Sequence, residues 1–156
     1  MRFGLGKRNA IGILTILAVF TFFIGGVAPA KAATTTYTLQ VKQTADEDGA
    51  NAQGPFTLKV YLTPVSGSTY FVVHGQVTGI TGGTAYLGGT ARVVSSNLIL
   101  NLTMTEYNST DKDWLGATME VKVNKTSMKG TYWYVGSKFK GSSVFKDKFS
   151  KGTVTK

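Results

Sequence analysis

The chain has 156 residues, no cysteine and one histidine, and its 17 Lys/Arg against 8 Asp/Glu give a formal net charge of +9. That length is enough for one domain of ordinary size. The lack of cysteine excludes disulfides, thiolate catalysis and Cys-built zinc sites, and a single histidine excludes a His-rich transition-metal site.

The first feature in chain order reads as an export signal. Arg2, Lys7 and Arg8 form a positive n-region, and residues 10–28 carry no charge and are rich in Ile, Leu, Val and Phe. Gly25, Gly26 and Pro29 break the run, and Ala30-Lys31-Ala32 fits the small-x-small pattern before a cleavage site, as does Ala28-Pro29-Ala30. This is the layout of a secretory signal peptide. We therefore expect residues 1–32 to be removed and 33–156 to form a single exported domain, secreted or periplasmic. An uncleaved anchor is the alternative, because the apolar run approaches the ~20 residues a span needs. Cleavage removes Arg2, Lys7, Arg8 and Lys31, leaving thirteen basic residues against eight acidic ones, a net charge of +5. That charge fits weak attraction to an anionic envelope surface, and nucleic acid is not expected as a partner.

Past Ala33 no window holds helical spacing. Apolar residues recur at every second position between clusters of Gly, Ser, Asn and Asp, the pattern of half-buried strands. The spacing predicts eight of them. The first covers 37–44, with Tyr37, Leu39 and Val41 on one face. The second, 56–63, sets Phe56, Leu58, Val60 and Leu62 against Thr57, Lys59, Tyr61 and Thr63, and Pro64 ends it. In the third, 69–78, Phe71, Val73, Gly75 and Val77 form the more apolar face, which puts His74 on the outside. The fourth covers 84–94 and the fifth 97–107, where Leu98, Leu100, Leu102 and Met104 share a face. The sixth, 115–124, has Ala117, Met119, Val121 and Val123 on one side. The seventh covers 127–135 and the eighth 148–155.

One buried and one wet face per strand, with short connections at 95–96 and 125–126, point to antiparallel hairpins. Eight such strands in sequence close most simply into an up-and-down barrel, which leaves no open edge. A β-sandwich is the alternative fold. Gly75, Gly88, Gly89 and Gly130 fall inside strands, where glycine marks bends or bulges. The inferred architecture is calycin-like: it resembles the eight-stranded binding barrels of lipocalins and avidins. The Gly-x-Trp signature of lipocalins is missing from the first strand, and the first tryptophan is Trp114.

In this order alternate connections gather at one pole. Those at the first pole are expected at 45–55, 79–83, 108–114 and 136–147, three of them long. Those at the other, 64–68, 95–96 and 125–126, are short. Long loops on a rigid scaffold make the first pole the expected mouth of a binding site. Phe56, Leu87, Met104 and Met119 sit inward near it, Trp114 opens the sixth strand there, and Tyr132 and Tyr134 close the seventh. These seven are the expected ligand-lining residues, for a small apolar or amphipathic molecule and without a cofactor. Their alternative role is to pack the barrel top, as in eight-stranded barrels with filled interiors.

Asp46, Glu47, Asp48, Asp111, Asp113 and Asp147 fall in the same connections, with Glu106 beside them and Lys138, Lys140 and Lys146 on the same rim. The run Asp46-Glu47-Asp48-Gly49-Ala50-Asn51 offers calcium-type oxygens but lacks the full loop pattern, and reads as an acidic turn. No glycine-framed nucleophile elbow is present, so nothing points to a hydrolase. Two further readings stand beside the binding barrel. One is an envelope interaction protein with a packed interior and a lysine/aromatic patch over 138–149. The other is a cofactor-independent enzyme using His74 or Glu106, which requires His74 to face a pocket.

Overall fold

The computed structural model describes residues 32–80, 83–109, 111–141 and 143–156, without the side chain of Phe145. Apart from Ala32, the expected export signal lies outside the described residues. The strands are β1 (Thr35–Asp46), β2 (Gln53–Pro64), β3 (Tyr70–Ile80), β4 (Gly83–Val94), β5 (Asn97–Asn108), β6 (Asp113–Asn124), β7 (Gly130–Lys140) and β8 (Ser143–Thr155). Each pairs antiparallel with the next, and β8 returns to β1, so the sheet is a closed eight-stranded barrel rather than a sandwich.

Alternation along the strands accounts for the layering. Leu39, Leu58, Val60, Leu62, Leu100 and Val121 are at most 1 % exposed and fill the interior. Thr38, Lys42, Thr103, Thr118, Lys122 and Thr153 point outward and are exposed. Apolar-in and polar-out is the reverse of a barrel that faces lipid. The lower pole carries the connections 65–69, 95–96 and 125–129. There Met128, in the left-handed region at φ 52°, belongs to the buried core and plugs the barrel from below. The Asn124 side-chain oxygen accepts from the Thr126 and Ser127 N–H groups at 3.0 Å and so builds that turn.

Glycine at inward positions lets neighbouring strands coil closely together. A Cβ at Gly75 would collide with the Lys59 carbonyl oxygen, and one at Gly89 with that of Asn101. Gly88 is different, because a Cβ there would meet nothing within 4 Å.

Two expectations need correction. The segment 136–147 is not a loop: β7 continues to Lys140 and β8 starts at Ser143, with only 141–142 between them. Connections at the upper pole are therefore 47–52, 81–82, 109–112 and 141–142, on average no longer than those below. Alternate turns do share a pole, but the strands, not the loops, build the mouth. Within that segment Lys138 is polar at an inward position, where an apolar residue would have continued the strand pattern.

Candidate ligand cavity

Along five strands the inward position nearest the upper pole is polar or charged. Val41 is followed inward by Gln43 on β1, and Met104 by Glu106 on β5. Read toward the pole, Leu115 gives way to Asp113 on β6, Tyr134 and Gly136 to Lys138 on β7, and Ser150 to Lys148 on β8. At the same level the packing runs short of side-chain volume. One cross-strand row reads Leu87, Met104, Ala117, Gly136, Lys148. Ala117 and Gly136 carry little side chain where a lower row carries Leu100, Val121 and Tyr132. A cavity of about 240 Å³ lies inside the barrel toward this pole. Phe56, Val77, Met104, Leu115, Met119 and Tyr132 form its apolar walls and floor. Gln43, Glu106, Asp113, Tyr134, Lys138 and Lys148 form a polar crown above them.

A directed chain of hydrogen bonds crosses from the floor to the β1–β2 connection. The Ser150 hydroxyl donates to Gln43 Oε1 at 2.9 Å. Its single proton is thereby committed, so the Tyr132 hydroxyl, 2.8 Å away, is the donor to Ser150. Gln43 Nε2 donates onward to the Asn51 carbonyl at 3.1 Å and to Asp46 Oδ2 at 3.2 Å. Asp46 also accepts from Asp48 N at 3.0 Å and Asn51 Nδ2 at 2.7 Å. Its carboxylate is thus occupied by protein donors and closes a turn. No group of three or more His, Asp or Glu side chains suited to a metal exists among the described residues.

The charged crown is only partly neutralised. Lys138 Nζ lies 3.1 Å from Asp113 Oδ2. Asp113 is 4 % exposed, yet its Oδ1 is buried with no hydrogen-bond partner. Burial pushes the Glu106 carboxyl above its ordinary range; the Lys138 ammonium works against that and Asp113 adds to it. Tyr134 is pushed up to about 12, by burial first and then by Tyr132, Glu47, Glu106 and Asp46. Lys148 pairs with Glu47, which also holds Lys146 at 3.4 Å.

Five of the seven residues expected to line a site do line this cavity: Phe56, Met104, Met119, Tyr132 and Tyr134. Leu87 is buried in the core but is not part of the lining. Trp114 is a correction. It sits between Asp113 and Leu115, both inward, so alternation turns it to the outer wall, where it is 42 % exposed. There its ring lies 4.8 Å from that of Tyr107. His74 also faces out, as expected, and stacks on Tyr61 with centroids 4.9 Å apart. Sequence reasoning missed Gln43, Asp113, Lys138 and Lys148 as inward residues. Continuing each strand's alternation beyond its last apolar residue would have found them.

Comparison of the chain with protein-family models, with curated proteins and with solved structures gave no match.

Proposed function

We propose that the protein is an exported, non-enzymatic barrel that binds one compact amphipathic molecule in the upper cavity, apolar end down. The observation that carries this reading is the lining itself, an apolar floor topped by charged and hydrogen-bonding groups inside a closed barrel. Sites for small molecules are mostly apolar concavities with a few placed polar groups. The volume, about 240 Å³, falls below the ~300 Å³ at which drug-sized pockets begin, which argues for a small occupant. The enzymatic alternative loses its histidine, since His74 faces solvent on the outer wall.

Native mass spectrometry of protein purified from its source tests the reading. The expected result is a stoichiometric small-molecule adduct released on unfolding. Val77→Phe, which fills the cavity, abolishes the adduct, whereas Trp114→Ala, which alters only the outer wall, retains it. A bare protein whose melting temperature responds to no member of a panel of small amphiphiles would overturn the proposal.

A second reading draws on the outer wall. Tyr107, Trp114, Phe139 and Val144 stand side by side across β5 to β8 next to the mouth, and Tyr107, Trp114 and Val144 are exposed. An apolar row of this kind suits contact with an envelope component. Pull-down of envelope fractions with wild type and with Trp114→Ala is the check; identical recovery removes this reading.

A further inference from the structure

Resting on the binding reading above, we infer that the cavity selects a protonated amine carried on a small apolar body, held at Asp113 and Glu106. Two features of the crown point the same way. First, the unmatched polar atom in it is an acceptor. Asp113 is among the residues that line the cavity; its Oδ1 is buried and has no partner, while Oδ2 takes the Lys138 ammonium at 3.1 Å. Leaving such an atom unpaired is costly, and a donor from a ligand recovers that cost.

Second, the two acids of the lining are set around one of its two lysines. Glu106 and Asp113 share a single ammonium, Lys138. Lys148, the other lysine of the lining, is drawn to Glu47, which it shares with Lys146. A ligand cation balances the Glu106–Asp113–Lys138 group; a ligand carboxylate adds a third negative charge to it. Below the crown, the rings of Phe56 and Tyr132 and the thioethers of Met104 and Met119 offer a polarisable bed for an apolar body. The faces of Tyr134 and Tyr132 add attraction for an ammonium.

Calorimetric titration with matched probes tests this. The set is 2-phenylethylamine, 2-phenylethanol and 3-phenylpropionate, repeated with hexylamine, hexanol and hexanoate. In the expected result the amine of each set binds one to one, and about tenfold or more tighter than its alcohol or carboxylate, the span of a charge-assisted hydrogen bond. Glu106→Gln and Asp113→Asn each weaken the amine by about tenfold and change the alcohol less. Lys138→Met, which withdraws the internal competitor, tightens the amine. Should Asp113→Asn fail to fold, Glu106→Gln and Lys138→Met carry the test. An alcohol or carboxylate bound as tightly as its amine, or Lys138→Met weakening the amine, overturns the cation assignment and leaves the binding reading standing. No binding by any of the six overturns both.

Discussion

Tyr132 and Ser150 meet inside the barrel with their hydroxyl oxygens 2.8 Å apart, and Ser150 passes the hydrogen-bond chain on to Gln43 at 2.9 Å. The arrangement ties β7 to β8 and β8 to β1, the pair of strands that closes the barrel. It also fixes the floor of the cavity, because the Tyr132 ring is held by its own hydroxyl. Ser150 is fully buried, so water cannot replace its bonds without opening the barrel.

Removing the middle of this chain costs more than removing its end. Tyr132→Phe deletes one bond and leaves Ser150 donating to Gln43, an expected loss of about 1 kcal/mol. Ser150→Ala strands both the Tyr132 donor and the Gln43 acceptor, an expected loss of about 1–3 kcal/mol. Because the two residues share one bond, the double variant costs less than the sum of the singles. Urea unfolding of the three variants measures this; equal losses for the singles, or strict additivity, would contradict the assigned direction.

Neighbouring glycines on β4 separate backbone closeness from mere permissiveness. Gly88→Ala adds a methyl group that meets no atom within 4 Å, and replacing a strand glycine raises stability by roughly 0.5 kcal/mol. Gly89→Ala drives a Cβ into the Asn101 carbonyl on β5, and the strand shift this forces costs about 1–3 kcal/mol. Thermal melts of the pair show opposite shifts if the close approach is as described. A harmless Gly89→Ala would mean that β4 and β5 can part there at no cost.

The barrel was legible where each inward residue is apolar. Leu98, Leu100, Leu102 and Met104 announce β5, and Ala117, Met119, Val121 and Val123 announce β6; both strands were placed with their faces right. Reading failed at the mouth for one physical reason: a polar crown breaks the rule that inward means apolar. Lys138 and Lys148 face the interior, so the ends of β7 and β8 looked like a charged loop. Trp114 failed in the opposite sense, since its size suggested a pocket while its position between two inward residues sent it outside. Size and apolarity said less there than alternation did.

The Glu47 ion pairs give the β1–β2 connection an acid-sensitive tether to β8. Burial acts to raise the Glu47 carboxyl. The Lys148 side chain, the backbone N–H groups of Glu47 and Phe149, and the Lys148 charge outweigh it and bring it down to about 2. A lowered carboxyl contributes stability above its unfolded value of about 4.5, and that contribution is lost as pH falls through about 2. Solvent screens the pair, so the effect belongs to the small range of surface ion pairs rather than to the full displacement. Glu47→Gln is therefore slightly less stable than wild type at neutral pH, and the two converge as the pH approaches 2. Denaturant midpoints measured across that window decide it, a constant difference being the contrary result.

Glu106 has the reverse sign. Burial raises its carboxyl; Lys138 lowers it in part, and Asp113 raises it again. A carboxyl that holds its proton more tightly in the folded state favours folding less as the pH rises from 4.5 through its raised folded value. Above that value its ionisation is a standing cost of the empty cavity. Glu106→Gln keeps the shape and removes the charge, so it is more stable than wild type at neutral pH, and the gain vanishes below 4.5. The same substitution weakens binding of a protonated amine, because the repulsion relieved in the free protein is what the ligand cation would otherwise relieve. Stability and affinity thus move in opposite directions at one residue, the trade-off expected of a site built for a ligand. A Glu106→Gln protein that loses stability at neutral pH while keeping amine affinity would show instead that Glu106 is part of the barrel's own support.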